Sequence, residues 1–525
     1  MKISKAWAET AIFIALYLSA IYLWTLPLQK SNMPYGEYDA ISHVEVGDYM
    51  AVNDKSLVNL PHYIDFRYGT DNLYRPHTLW YHPPYHTDFA IIQIIAGERV
   101  VPIYIMNAIF STAILVSVYF VIRALFGFLP AILSALLLVF SPRDFLPFLW
   151  GQWPERLSYA FVPLILYCFY KYYLSYAEGN EKPVYLYLTA ILFAIDIYIH
   201  PLVAFHSIFG LIVLFAFLFF KERKIPFNFK HMISCILIVI VMLAIFPYQT
   251  GNVFVRFALE ETESKAKDFS RLFHWSPNPE DFKGSVPEAY FSFREMNGLW
   301  TLPFLLLGIF FLAFRRERRD LFLLAWLVSL YLVLHRDLLG KATFLHRSLS
   351  ATAHIFAPLT AIGAVYISSF IKIKPLRDYL KYAIVALFVI LAISINGKNI
   401  EMLKGAYQGL SRINQVQYEA SLWVMENVPV AYNVSVVGVP DQLYKQLPWM
   451  AIFSQRLNRH FESFTAEEAR QHLLNDYIFV DYTNSILLND PARIKSLQEF
   501  ESAALENFTL LYNKNNIRIY KYPQK

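Results

Sequence analysis

Charge is scarce in this chain: 17% of its 525 residues are Asp, Glu, Lys or Arg, against about a quarter in ordinary soluble proteins. Cysteine is nearly absent. Cys168 and Cys235 stand alone, both inside apolar stretches, so no disulfide framework is available and the two read as small core hydrophobes. No internal repeat is visible along the chain, although transporters often carry inverted ones.

Apolar side chains fill the space that charge leaves. Hydrophobic residues make up 56% of the chain, aromatics 17%, and the net charge is +5; the mean hydropathy is +0.36. Uncharged runs recur at Ala11–Leu26, Ile233–Phe246, Leu299–Phe314 and Tyr382–Ile395, and at Leu202–Phe220, which only His206 interrupts. With flanks included, each approaches the length a hydrocarbon core requires, about 17–25 residues. These patterns predict a polytopic α-helical membrane protein with about eleven transmembrane helices, near 7–27, 100–122, 127–141, 156–173, 184–199, 201–220, 231–248, 299–314, 320–335, 349–370 and 382–396. Lys2 and Lys5 precede the first run, which lacks a small-x-small cleavage site and reads as an uncleaved span.

Basic turns orient the bundle. With the N-terminus cytoplasmic, the inside turns hold Arg123, Lys171, Lys221–Lys224, Arg315–Arg319 and Lys372–Lys381. The outside then receives a first loop (29–99), the short stretch Ser141–Arg156, a loop over 250–298, the turn His335–Arg347 and the tail. From about Gly397 charge rises and the apolar runs shorten. A helical period (Val416, Ala420, Trp423, Val424) precedes strand signals at Asn433–Val439, Tyr477–Tyr482, Phe508–Tyr512 and Ile517–Tyr522, the last two joined by an Asn513–Asn516 turn. Residues 1–396 therefore read as a transmembrane domain and 397–525 as a small extracytoplasmic α/β domain. The triplets Asn433-Val434-Ser435 and Asn507-Phe508-Thr509 are compatible with that side.

Between Ser31 and His86 lie five of the fourteen histidines, with Asp39, Glu45, Asp48, Asp65 and Asp71; loops on rigid scaffolds are where function concentrates. Asp39 and His43 are four apart and share one face of a helix, and Asp48 could join them. A carboxylate there suits a general base or a ligand for a hard cation; a solvated helix with surface charges is the plain alternative. Tyr81-His82-Pro83-Pro84-Tyr85 makes a rigid entry into the next helix, with His82 and His86 at the water–lipid boundary, either functional or part of an aromatic belt.

Farther on, Asp144 is a candidate second acidic ligand for a cation shared with Asp39, and Glu155–Arg156 reads as a local ion pair. Asp196, His200 and His206 sit in or at the ends of apolar runs, where ionisable groups are costly and face cavities. Asp196 and His200 are again four apart and can pair, for a site or for structure. The cluster His335-Arg336-Asp337, Lys341 and His346-Arg347 is basic on the expected outer side. Arg347 there suits a phosphate, because a planar guanidinium pairs bidentately with phosphate oxygens; acidic lipid head groups would serve equally. The loop from Thr250 offers Glu260, Glu261 and Glu263, then Phe273-His274-Trp275, as a cap with an aromatic face or as an interfacial helix.

Taken in order, Tyr38-Asp39-Ala40-Ile41-Ser42-His43, His82-Pro83-Pro84, Asp144, Arg347 and the tail helix Tyr418–Val424 resemble the GT-C superfamily of integral-membrane glycosyltransferases. That superfamily includes protein mannosyltransferases, aminoarabinose transferases and the catalytic oligosaccharyltransferase subunit. The resemblance implies a GT-C-like fold and transfer of a sugar from a polyprenyl-phosphate-linked donor on the extracytoplasmic face. It implies a catalytic set of Asp39, His43 and Asp144, with Asp39 as base or, together with Asp144, as ligand to a divalent cation (Mg or Mn). Arg347, His346 and Arg156 would bind the donor phosphate, and Glu45, His82 and His200 the substrate. Its partners would be the lipid-linked donor, membrane lipids and an acceptor, not nucleic acid. The tail lacks a Trp-Trp-Asp signature, which argues against glycan transfer to protein asparagine. Asp144 stands outside any Asp-x-Asp pair, which weakens the case for a bound divalent cation, and no Gly-rich phosphate loop occurs, which argues against a nucleotide-sugar donor. A transporter or flippase built around Asp196, His200 and His206, a glycan polymerase or ligase, and a non-catalytic scaffold of the same fold are the rival readings.

Overall fold

The computed structural model describes residues 5–29, 31–36, 38–53, 82–226, 228–247, 249–251, 269–282, 286–340, 344–409, 413–429, 432, 434–438, 440–455, 462–471 and 476–523. Asp65, Asp71, Tyr81, Glu260, Glu261, Glu263, Lys341 and Asn433 lie outside them. The chain divides into two compact units, Met1–Leu26, Trp80–His82 and Ile105–Ala406 in one, and Pro27–Leu79, Pro83–Tyr104 and Tyr407–Lys525 in the other.

The principal helices in chain order are α1 (Lys5–Trp24), α2 (Tyr38–Asn53), α3 (Pro84–Ala96), α4 (Val101–Ser111), α5 (Ala113–Phe126), α6 (Phe128–Val139), α7 (Pro142–Trp150), α8 (Trp153–Tyr159), α9 (Phe161–Ala177), α10 (Pro183–Ile199), α11 (Ala204–Glu222), α12 (Phe229–Leu243), α13 (Leu302–Arg315), α14 (Arg318–Leu334), α15 (Thr352–Ile367), α16 (Lys374–Leu391), α17 (Gln415–Asn427), α18 (Pro440–Ser454) and α19 (Pro491–Ala504). This is a multi-pass membrane protein. Against the eleven expected spans, five segments among the described residues are individually long and apolar enough to cross a bilayer: Ala6–Trp24, Val101–Phe126, Ala204–Glu222, Leu345–Phe370 and Lys374–Lys404. A sixth exists if α6 and α7, bent by 44° at their junction, count as one. Helices α10 and α12 and the segment Leu299–Arg315 are apolar but shorter.

In the first unit α13 and α15 meet backbone to backbone. A Cβ added at Gly363 would run into the Phe304 carbonyl oxygen and lie 2.6 Å from Gly308 N, and one at Gly308 would strike the Leu359 carbonyl. Small residues permit this close crossing, which in lipid replaces hydrophobic drive with direct packing.

The second unit carries a five-stranded sheet, with β1 (Val434–Val437), β2 (Glu462–Phe464), β3 (Tyr477–Asp481), β4 (Thr509–Lys514) and β5 (Ile517–Lys521) in the order β2-β1-β3-β5-β4. β1 pairs in parallel with β2 and β3, while β5 pairs antiparallel with β3 and β4. Asn515 and Asn516 both have positive φ, 48° and 69°, so the β4–β5 hairpin turns through the left-handed pair that Asn tolerates best after Gly. Val437, Ile478, Val480, Tyr482, Leu497 and Phe500 form the core beneath the sheet. The four strands expected from sequence are present, and β4 starts one residue later than expected and runs on to Lys514; β2, α18 and α19 are additional to the expectation.

Candidate active site

The first unit gathers charge around a broken helix. Ser141 caps α7, accepting from Asp144 N at 3.3 Å, and Pro142 occupies its first turn. Both choices suit a helix start and they fix Asp144 in the first turn. Gly151, at φ 94°, ends α7 in the left-handed conformation, and Trp153-Pro154 opens α8 at once. The tight reversal brings Arg156 back onto Asp144.

Asp144 and Arg156 form a buried ion pair. His354, from α15, sits 3.1 Å from both Asp144 oxygens, and Arg156 also donates to the Ser350 hydroxyl. Sequence reading paired Arg156 with Glu155. Glu155 instead accepts from the Tyr159 hydroxyl at 2.9 Å and lies 3.9 Å from Arg347 Nη1. Tyr159 reaches on to His206 Nε2 at 3.4 Å, which is 3.3 Å from the Ser348 hydroxyl; Ser348 also accepts from Arg336 at 3.2 Å. One connected polar network therefore joins α7, α8, α11 and the residues just before α15. His354 and Ser350 escaped the sequence reading, although a histidine inside the apolar segment 349–370 is itself the signal.

Arg347 lies in the short helix Leu345–Ser348. Its guanidinium carbon is 5.0 Å from the Phe344 ring, and Phe344 itself adopts φ 53°, a conformation rare outside glycine that clusters at functional positions. The His346 ring packs against Phe282 at 4.7 Å. His335 and Asp337 of the basic cluster hold structure together. His335 presents both ring nitrogens to carbonyl oxygens, Nδ1 to Tyr331 at 2.7 Å and Nε2 to Arg271 and His274 at 2.9 and 2.7 Å. Arg271 in turn pairs with Asp337 at 3.2 Å. These contacts clamp the segment Phe269–Trp275 to the end of α14. Trp275 rests against Tyr331 and Phe356, both at 5.6 Å.

Asp196 was expected to pair with His200. Its carboxylate oxygens instead accept from the Ser158 and Ser207 hydroxyls, the latter at 2.7 Å, tying α10 to α8 and α11; the His200 side chain is buried at the end of α10. His82 is buried against Tyr198 and Phe246, with Nε2 2.9 Å from the Thr250 hydroxyl, and burial lowers its pKa to about 4.

In the second unit the expected face of α2 divides in two. Asp39 occupies the first turn, half-buried, where the helix N-terminus favours a carboxylate. His43 Nδ1 meets His86 Nε2 at 2.9 Å, both rings buried, and Glu45 is buried one turn from Asp48. Asp48, however, belongs to the scaffold: Arg99 holds both its oxygens, and Gln93 and Gln455 each donate at 3.0 Å. Burial alone would lower the Arg99 pKa, but the Asp48 charge outweighs it and the guanidinium is held above its usual range.

Among the described residues no group of three His, Cys, Asp or Glu side chains is placed to hold a metal ion. Asp144 in particular has its oxygens taken by a guanidinium and an imidazole, a donor set that does not fit a cation.

The profile of a family of unknown function, DUF6541, matches residues 2–348. The chain belongs to that family. No curated protein matches it. Among solved structures it is similar to the Archaeoglobus fulgidus oligosaccharyltransferase in the apo form, at 14% identity and TM-score 0.51, over 94% of this chain and 71% of that one. It is similar to AglB from the same organism in complex with an inhibitory peptide and a dolichol-phosphate, at 14% identity and TM-score 0.50, over 99% and 75%. It is likewise similar to ArnT from Cupriavidus metallidurans bound to undecaprenyl phosphate, at 11% identity and TM-score 0.53, over 99% of this chain and 100% of that one. The fold is thus that of the GT-C glycosyltransferases.

Proposed function

We infer that this chain is a GT-C-type membrane glycosyltransferase that moves a sugar from a polyprenyl-phosphate-linked donor to an acceptor on the extracytoplasmic face. The observation that carries the reading is the buried network of Arg156, Arg336, Asp144, Glu155 and His354 beside Arg347, built into an apolar helical unit. Buried cations beside an apolar bundle suit a ligand whose phosphate is charged and whose tail is lipid. The dolichol-phosphate and undecaprenyl phosphate in the AglB and ArnT structures are ligands of that chemistry. The expected topology of about eleven spans, with the N-terminus cytoplasmic and residues 397–525 outside, belongs to this reading.

In the proposed reaction the acceptor hydroxyl attacks the anomeric carbon, the bond from that carbon to the phosphate oxygen breaks, and the lipid phosphate leaves. Asp39 takes the acceptor proton, with His43 beside it on the same helix face. Arg347, with His346 and Arg156, stabilises the charge that grows on the departing phosphate. Glu45, His82 and His200 are assigned to substrate binding in this reading. A carboxylate base and fixed guanidinium groups supply both terms.

The test is release of lipid phosphate in proteoliposomes supplied with a panel of polyprenyl-phosphate sugars and cell-extract acceptors, followed by mass spectrometry. Wild type should release it and Asp39→Asn should not, with unchanged detergent extraction. Release by neither protein would favour the transporter or scaffold reading, and equal release by both would remove Asp39 from the chemistry.

A further inference from the structure

Two cavities open in the first unit at the far ends of α9 and α11 from the charged network. α9 begins next to Tyr159 and runs 17 residues, about 25 Å, to a last turn that carries Tyr176. One cavity, of about 430 Å³, is lined by Tyr176, Gly179, Glu181, Lys224 and Ile225. The other is an apolar groove of about 310 Å³ between α10, α11 and α12, where Leu186, Ala190 and Phe193 face Cys235, Val239 and Ile240. A row of side chains joins the two. Glu181 lies 3.9 Å from His231 Nε2, and His231 Nδ1 meets the Tyr187 hydroxyl at 2.6 Å. Cys235, one turn on from His231, places its Sγ 3.6 Å from the Leu186 carbonyl oxygen at the foot of the groove.

The polar cavity presents one charge of each sign, and neither is saturated. The Glu181 carboxylate accepts from the Tyr172 hydroxyl at 3.0 Å and from Asn228 Nδ2 at 3.3 Å, and a carboxylate can accept about four hydrogen bonds. Lys224 Nζ donates to the Ala177 carbonyl, which uses one of its three N–H groups. The Tyr173 hydroxyl donates to the Lys224 carbonyl and so pins the backbone that carries this ammonium. Arg318 engages Glu178 and Glu222 at 2.7 and 2.9 Å, which leaves Glu181 as the acidic group of the cavity. A bare phosphate suits Lys224 and is repelled by Glu181. A quaternary ammonium has no N–H to give Glu181. A phosphate ester that also bears a primary ammonium meets both groups. The groove beside it is apolar and opens among outward-facing Ile236 and Ile240; water gains no partners there, whereas a hydrocarbon chain fills it.

We propose that these two cavities together hold one aminophospholipid, its phosphate on Lys224, its primary ammonium on Glu181 and one acyl chain in the groove between α10 and α12. The lipid lies in the leaflet at the opposite end of the bundle from Arg156. Its chain fills the gap along which α12 leans on α10, and its head group ties the end of α9 to the end of α11. The inference uses no part of the transferase reading, and the two stand or fall separately.

The test places the full chain in phosphatidylcholine nanodiscs with a trace of phosphatidylethanolamine carrying a diazirine in its acyl chain. After illumination, mass spectrometry maps the crosslinks. They should concentrate on the groove residues of α10 and α12 over α1, whose Trp7, Leu18 and Tyr22 are exposed along a lipid-facing helix and serve as the internal control. Unlabelled phosphatidylethanolamine should displace the groove label at about fivefold lower content than phosphatidylglycerol, the scale of a half-exposed hydrogen bond to a charged group. Glycerophosphoethanolamine and inorganic phosphate, which lack the chain, should not displace it. Glu181→Gln and Lys224→Gln should each cut groove labelling by a similar factor and leave α1 labelling unchanged, with thermal unfolding confirming the fold. The proposal is overturned if labelling is even over α1, α10 and α12, or if phosphatidylglycerol competes as well as phosphatidylethanolamine, which marks an anionic-lipid patch. It is equally overturned if inorganic phosphate displaces the label, or if both folded variants retain it. Should a variant fail to fold, the competition series on the wild type decides.

Discussion

Arg99 closes on both oxygens of Asp48, Nε to Oδ1 at 2.7 Å and Nη2 to Oδ2 at 2.5 Å, and stacks its guanidinium 5.0 Å from the Phe453 ring. The pair joins the helix that carries Asp39 and His43 to α18 of the sheet-bearing part of the same unit, where Gln455 completes the carboxylate's shell. Truncating one member leaves an uncompensated buried charge. Arg99→Leu should therefore lower stability by about 3–5 kcal/mol. The double variant Asp48→Leu, Arg99→Leu should recover part of that loss, because both charges are then gone. Thermal unfolding in detergent measures both; a double variant less stable than Arg99→Leu would show that the pair is not the source.

Gly363→Ala should loosen the first unit. Its methyl would meet backbone atoms of Phe304 and Gly308, and backbone cannot rotate aside, so the expected cost is at or above the usual range for overpacking, about 1–3 kcal/mol. Gly251→Ala, where nothing lies within 4 Å of the added carbon, is the matched control and should stay within about 0.5 kcal/mol. Melting temperatures of the two variants side by side decide the point.

Gly47→Ala should act on the His43–His86 pair. An added methyl at Gly47 collides with the Phe89 side chain, one turn beyond the two rings, and would push α2 off α3. A stability loss of about 1–3 kcal/mol is expected, with reduced lipid-phosphate release in the proteoliposome assay. A stable variant with wild-type release would separate the helix contact from the chemistry.

His82 supplies a pH dependence. Its pKa is lowered from about 6.5 to about 4 by burial, so the folded state holds the neutral ring and the unfolded chain binds the proton more readily. The stability this contributes is complete above pH 6.5 and is lost as pH falls from there through 4. Melting temperature should drop over that window, and His82→Gln should flatten the drop. An unchanged slope in the variant would assign the acid sensitivity elsewhere.

Much of this architecture was written locally. Apolar runs of bilayer length, basic turns, the Asn513–Asn516 turn and the C-terminal strands each depend on neighbours a few residues apart, so periodicity and turn chemistry disclose them. The same locality places Asp39 and His43 four apart on one helix, Tyr38–Asn53, where the 3.6-residue repeat gives them a common face.

Which charges pair with which is a different matter. Asp48 looked like a member of the Asp39 face and is bound instead by Arg99 and Gln455, the latter 407 residues away along the chain. Arg156 looked like the partner of Glu155 beside it, yet closes on Asp144 twelve residues back, with His354 arriving 210 residues later. A buried charge takes whichever partner relieves most of its desolvation, and that partner is chosen by how distant helices pack. Sequence alone therefore determined that this protein is a membrane-embedded helical chain with a small α/β part and an unusual supply of ionisable groups. Only the tertiary structure decided which of those groups pair within the scaffold, as Asp48 does with Arg99, and which gather in one buried network, as Asp144, Arg156 and His354 do.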